Sequence, residues 1–301
     1  MVFSINKRRQ TDTKLKIFSK ILWRTLFLYC LGLFYYAGDS RIVEAGDLRY
    51  MGVLQRLALT YGITATMYLF FPLRALIIGF AIILMGYYGA VAFVPFEGSA
   101  DLTSQARFEE GADKNLVNNF DKNYLGGYKW GGKDYDPEGL LSNIPAVGSC
   151  LLGVFAGLIL INPDKKKIWK INMLLLSGVV SLLLAFVWGL FFPIIKNLWT
   201  SSFVLMAGGW SLLLLAFFYL VIDTWKFSFW AIPFVWIGSN AITIYLGWQI
   251  IDFQSLAERI VQFNIASSLG IYSELVTWLV AVCFALALLR FLHSKKIFLR
   301  V

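Results

Sequence analysis

Apolar residues run through this chain in blocks of about twenty, and the polar residues gather between the blocks. A helix that crosses a bilayer needs about 20 mostly apolar residues. Blocks that meet this length fall at 17–36, 50–70, 73–95, 140–161, 168–190, 201–222, 229–250 and 273–292. The pattern predicts an all-α fold, a polytopic membrane bundle of about eight transmembrane helices, with 1–301 forming a single membrane domain. No soluble domain, internal repeat or low-complexity tract interrupts it.

Composition agrees. The 301 residues are 58% hydrophobic, 17% aromatic and 15% charged, with mean hydropathy +0.68. Soluble domains carry about 25% charged residues. A net charge of +9 would fit nucleic acid if it were clustered on one face, but the charges sit at the ends of apolar runs, where membrane proteins keep them. Nucleic acid is therefore excluded as a partner, and the lipid bilayer is expected. Cys30, Cys150 and Cys283 lie inside apolar runs and read as small buried hydrophobes, without disulfide or metal spacing. The sole histidine, His293, adjoins Lys295 and Lys296 and reads as interfacial. The start, MVFSINKRRQ, places apolar residues before charges, the reverse of a cleavable signal.

Lysine and arginine mark the cytoplasmic side of membrane proteins. Lys7, Arg8, Arg9, Lys14 and Lys16 precede the first block, four lysines fill 162-NPDKKKIWK-170, and Lys295, Lys296 and Arg300 follow the last block. Eight spans put all three segments on one side, so both termini are expected in the cytoplasm. The connection 96–139 then lies outside. It holds nine Asp/Glu and five Lys/Arg, and it includes the aromatic, glycine-rich run 123-NYLGGYKWGG-132. A loop this long is commonly functional. Its aromatic faces, Trp130 included, suit a sugar; an interfacial lid anchored by aromatics is the equal alternative.

Four stretches carry candidate chemistry. In 52-GVLQRLALTYG-62, Gln55 and Arg56 interrupt an apolar block; an arginine there faces a partner, lines a wet cavity or snorkels to the interface. In 134-DYDPEGLLSNIPAVGS-149, Asp136 reads as an N-cap, Pro137 as the first helical residue and Glu138 as a first-turn acid. One cap needs one acid, so Asp134 and Glu138 are surplus, and Asn143 follows inside the span. In 193-PIIKNLWTSSF-203, Lys196, Asn197 and Trp199 form either an interfacial anchor or a group that orients a carbonyl, with Thr200 or Ser201 as the next cap. In 233-PFVWIGSNAITIYLG-247, Asn240 sits mid-span, for helix packing or for a ligand. No Walker loop, dinucleotide fingerprint, HExxH or nucleophile elbow is present. The spans hold almost no Asp or Glu, which argues against an ion-coupled transporter.

These stretches, in this order, together with the terminal KKIF, resemble the heparan-α-glucosaminide N-acetyltransferase family and its bacterial relatives over nearly the whole chain. The resemblance implies acetyl transfer from cytosolic acetyl-CoA to the amino group of a glucosamine-type sugar, or a glucosamine-containing glycan, on the far side of a membrane. For the bacterial relatives this is the inner (cytoplasmic) membrane. It implies acetyl-CoA as co-substrate, no metal, and a homodimer as a further expectation. The family's histidine-bearing segment, of the HGxTxxDLxFPxFxF kind, precedes the helices found here. Met1 aligns with an internal methionine of longer relatives, and the expectation is a truncated member that either lacks activity or uses a carboxylate poorly suited to the histidine's job. On the resemblance, Asp136 and Glu138 recognise or polarise the amino sugar, and Lys196 and Asn197 stabilise the thioester oxygen or orient the sugar. Gln55, Arg56, Trp130, Asn143, Trp199 and Asn240 shape the cavity, while Lys165, Lys166 and Lys167 meet the CoA phosphates. A sugar-binding or transport protein without catalysis and a polysaccharide O-acyltransferase are the rival readings.

Overall fold

A computed structural model of the protein describes residues 1–37, 48–96, 99, 106–109, 111, 114–264 and 272–298. Parts of the expected outer loop, including Glu97, Asp101, Glu110 and Asp113, lie outside the described residues, as does Arg300 of the basic tail. Among the described residues all regular structure is helical: α1 (Val2–Arg8), α2 (Lys14–Ala37), α3 (Val53–Phe70), α4 (Leu73–Phe93), α5 (Leu116–Tyr124), α6 (Asn143–Ile161), α7 (Lys167–Gly189), α8 (Ser201–Phe218), α9 (Ile232–Ser239), α10 (Ala241–Ile251), α11 (Phe253–Asn264) and α12 (Ser273–Ser294). Six helices are long and apolar enough to cross a membrane. A seventh span results if the bent pair Phe229–Ser239 and Ala241–Trp248 counts as one. The remaining block of the expected eight is α3. It carries Gln55, Arg56, Thr60 and Thr64, all buried against its neighbours, so its polarity is hidden inside the bundle.

The chain divides into two compact units, Met1–Leu220 and Val221–Val301. In the first, small residues let helices close on one another. Glycines 178 and 209 face each other across α7 and α8, where an added Cβ on either would come within 3.0–3.1 Å of the other's carbonyl oxygen. Gly32 and Gly62 likewise admit Gln55 and Thr25 between α2 and α3. Such close approach is the usual substitute for hydrophobic driving force between helices in lipid. One end of the unit is basic. There, α1 buries Val2 and Ile5, with Val2 against Gly157 of α6. Arg9 donates to the carbonyls of Tyr68 and Leu69 (2.7 and 3.1 Å), and Lys170 donates to Leu160 (2.7 Å). These are last-turn carbonyls with no intrahelical partner, and cations complement them. The opposite end collects the residues that precede α3, α6 and α8.

In the second unit the block 229–250 is not one straight span: its helix bends by 70° at Asn240. Nearby, the Ser239 hydroxyl lies 3.3 Å from Nδ1 of His293. α11 and α12 pack through Phe253, Ala257, Ala281 and Ala285, and Trp248 stacks on Trp278.

Two expectations need correction. Cys30 and Cys283 are exposed, and Cys150 is half-buried. Cys30 and Cys283 lie on helices long and apolar enough to cross a membrane, and on such a helix a thiol needs no protein core to stay out of water. The stretch at Asp136 is a turn, not a helix start. α6 begins at Asn143, with Ser142 at its cap position making no side-chain cap bond. A helix initiated at Asp136 would have carried Asp136 away from the partners described next.

Candidate active site

Asp136 closes a tight turn on itself. Its carbonyl accepts from Gly139 N–H (2.9 Å), and its Oδ1 accepts from Glu138 N–H (2.9 Å), a turn that aspartate forms readily because its side chain can bond its own backbone. The rest of the carboxylate is taken by Arg49. Nε of Arg49 donates to Oδ2 (2.9 Å) and Nη2 to Oδ1 (2.7 Å), and Nη2 also reaches Oε2 of Glu138 (2.7 Å). Trp130 N–H donates to Oδ2 as well (3.0 Å). The four acceptor sites of a carboxylate are thus all used by protein donors. The side chains of Arg49 and Asp136 are 3% and 0% exposed, against 20% for Glu138. Rings of Tyr36 and Trp130 lie 4.6 and 4.9 Å from the Arg49 guanidinium carbon. Burial alone pushes the Arg49 guanidinium down, and the carboxylates, Asp136 first, more than reverse this and hold it above its ordinary value.

Two further features lock this turn. Gly127, in the left-handed region at φ 77°, lets Tyr128 N–H reach the Leu48 carbonyl (3.0 Å); an added Cβ would stand 2.1 Å from that oxygen. This lays the LGGYKW segment against the strand of chain that carries Arg49. Beneath the turn, Asp121 of α5 accepts from the backbone N–H of Leu140 (2.9 Å) and Asp136 (3.4 Å). Burial raises its carboxyl to about 6, against the opposing pull of those two hydrogen bonds.

Arg56 grips the same turn from the other side. Its Nη2 donates to the Pro137 carbonyl (2.9 Å) and to the Ser142 hydroxyl. The ring of Trp199 covers it, 4.4 Å from the guanidinium carbon. Trp199 is held in turn: its Nε1 donates to Ser149 (3.1 Å) and its backbone sits at φ 52°, an uncommon conformation for a bulky residue that surrounding structure must impose. That structure is the knot 193–202. Thr200 caps α8 through Phe203 N–H and bonds to Pro193 and Ile195, Ser201 donates to Leu84, and Tyr87 donates to Leu198.

The expected site residues therefore divide. Asp136, Glu138, Arg56, Trp130 and Trp199 converge on one turn. Asn143 stands beside it, its Nδ2 donating to Gly139 (2.6 Å). Gln55 neighbours Arg56 in sequence but turns to α2 and the chain before α3: Nε2 reaches the Arg49 carbonyl (3.4 Å), and its Oε1 lies where a Cβ on Gly32 would go. Lys196 is exposed and Asn197 half-buried on the shoulder of the knot. Asp134 is exposed, 4.0 Å from Lys122, a pair of little energetic weight. Lys165, Lys166 and Lys167 are exposed at the far end of α6, which at 19 residues is about 28 Å long. Asn240 is buried at the helix break of the second unit. Sequence reasoning missed Arg49, Asp121 and Ser142. Arg49 lies just outside an apolar block, and its partners are 87 and 89 residues away, so only the surplus of acids at 134–138 hinted that a cation was needed. Among the described residues no group of three or more His, Cys, Asp or Glu could hold a metal.

No family model matches the chain. Among curated proteins it is similar to the heparan-alpha-glucosaminide N-acetyltransferases of Mus musculus, 27% identical over 321 residues, and of Homo sapiens, 26% identical over 320 residues. Each alignment covers 86% of this chain and 48% of the relative. The chain therefore spans about half the length of the curated relatives it matches. With an all-helical fold and apolar helices able to cross a membrane, it is a distant relative of the heparan-alpha-glucosaminide N-acetyltransferases.

Proposed function

We propose that the chain serves transfer of an acetyl group from cytosolic acetyl-CoA to the amino group of a glucosamine-type sugar on the opposite side of the membrane. The observation that carries this reading is the turn at 136–139, clamped by Arg49 on one side and by Arg56 with Trp199 on the other, at the end of the first unit away from the lysines of 162–170. Acetylation of an amine needs a group to take its proton and donors for the oxygen that gains charge. Of the two carboxylates within the turn, Glu138 is the one with solvent access, so it binds the amino group and accepts its proton. Asp136 has no acceptor site left and acts as a positioning residue, holding Arg49 and Glu138. Trp130, 40% exposed, offers a face for the sugar's CH groups; Lys196 and Asn197 orient its hydroxyls. Gln55 and Asn143 set the helix ends, and Lys165, Lys166 and Lys167 meet CoA phosphates at the far end of α6. The Nδ2 of Asn240, buried without a partner among the described residues, serves a ligand within its own unit.

The test is a proteoliposome assay with radiolabelled acetyl-CoA on one face and glucosamine on the other. The expected product is N-acetylglucosamine, with Glu138→Gln lowering its formation about a hundredfold or more, the lower end for loss of an acid–base group. Sugar uptake without acetyl-CoA would replace this reading with transport. An O-acetylated glycan would replace it with a polysaccharide O-acyltransferase.

A further inference from the structure

The two arginines that hold the 136–139 turn differ in what answers their charge. Arg49 faces two carboxylates. Arg56, 6% exposed, has no carboxylate within ion-pair distance among the described residues; its bonded partners are a carbonyl, a hydroxyl and an aromatic ring. Its Nε and Nη1 are buried with no hydrogen-bond partner. Three of the five N–H groups of an arginine fork are therefore uncommitted on a side chain withdrawn from water. A buried, half-satisfied charge is costly. The same fork is pre-aimed, because Pro137, Ser142 and Trp199 fix it before anything binds.

Resting on the acetyl-transfer reading, we propose that Arg56 is a catalytic residue whose free N–H groups receive the acetyl carbonyl oxygen of the thioester and the negative charge that develops there. The amine lone pair forms the C–N bond while the carbonyl π pair moves onto oxygen, beside the guanidinium. Return of that pair breaks the C–S bond. The proton lost by nitrogen passes through Glu138 to the departing thiolate, leaving amide and CoA thiol. A fixed cation without a counter-charge suits this task better than Arg49, whose charge its carboxylates already neutralise.

Infrared difference spectroscopy on the full chain with acetyl-CoA isotopically labelled at the acetyl carbonyl tests this without turnover. The thioester band is expected at lower frequency on the wild-type protein than in solution. The shift is expected to vanish in Arg56→Gln and to be reduced in Arg56→Lys, which keeps the charge and loses the fork. Turnover of Arg56→Gln is expected to fall a hundred- to a thousandfold, as for loss of an oxyanion donor. Should Arg56→Gln not fold, the Lys variant and the wild-type band decide. An unshifted wild-type band, or a shift undiminished in the variants, overturns the assignment and leaves acetyl transfer standing. Failure of the wild-type chain to bind acetyl-CoA removes the acetyl-transfer reading and this assignment with it.

Discussion

A single arginine, Arg49, converts a run of acids into a rigid turn. Its guanidinium and the Asp136 carboxylate are both withdrawn from solvent, so neither tolerates loss of the other. Removing one partner of such a pair costs about 3–5 kcal/mol, because the survivor is left charged in a poor solvent, whereas replacing both with apolar groups is often close to neutral. Arg49→Met and Asp136→Leu are each expected to destabilise the protein by that amount, and the double variant by clearly less than their sum. Thermal unfolding of the four proteins in one detergent measures the coupling; strict additivity would contradict a shared buried pair. This residue-scale account was only half legible in the sequence. The excess of acids over what one helix cap requires was visible at 134–138, and for Asp136 and Glu138 the cause is Arg49, while Asp134 stays exposed. The arginine's part was not visible, since nothing local links position 49 to position 136.

Among elements, the start of α6 shows where pattern reading runs out. The sequence Asp-Pro-Glu carries every local preference for a helix N-terminus, yet the helix waits until Asn143. Tertiary bonds from Arg49, Trp130 and Asp121 outweigh the few tenths to two kcal/mol that a cap supplies. Gly139 permits the arrangement, since an added Cβ would stand 1.7 Å from Oδ2 of Asp121. Asp121 also gives the turn a dependence on pH. Its carboxyl is raised to about 6 in the fold from an ordinary 3.8, so between these values the folded state holds the proton that the unfolded state has released. Stability is then expected to fall as pH rises from about 4 to about 7, by on the order of 2–3 kcal/mol for a two-unit shift. Asp121→Asn, of the same size and never charged, is expected to flatten this slope in melting curves taken across that range. The break at Asn240 is the second place where the apolar pattern misled: hydropathy records that 229–250 is greasy, not that it is straight.

For the molecule as a whole, the blocks of apolar residues located the helices well, because span length is imposed by the bilayer and not by the packing inside. The structure also draws α1, the end of α3 and the turn 162–166 to one end of the first unit. We predict that Lys7→Cys and Lys166→Cys label from one side of the membrane with an impermeant maleimide, and Lys133→Cys from the other. Labelling of Lys7→Cys and Lys166→Cys from opposite sides would break the proposed topology and remove α3 as a span. That helix has a further consequence for how the protein is made. An arginine within a span costs about 2.5–3.5 kcal/mol to insert, and the oxygens that satisfy Arg56 lie 81 and 86 residues downstream. At about 5–20 residues per second of synthesis, α3 spends roughly 4–17 s at the translocon before its partners exist. α2, closed on it through Gly32 and Gly62, is already made when that interval begins and shelters its polar face, so α2 and α3 are expected to enter the membrane as a pair.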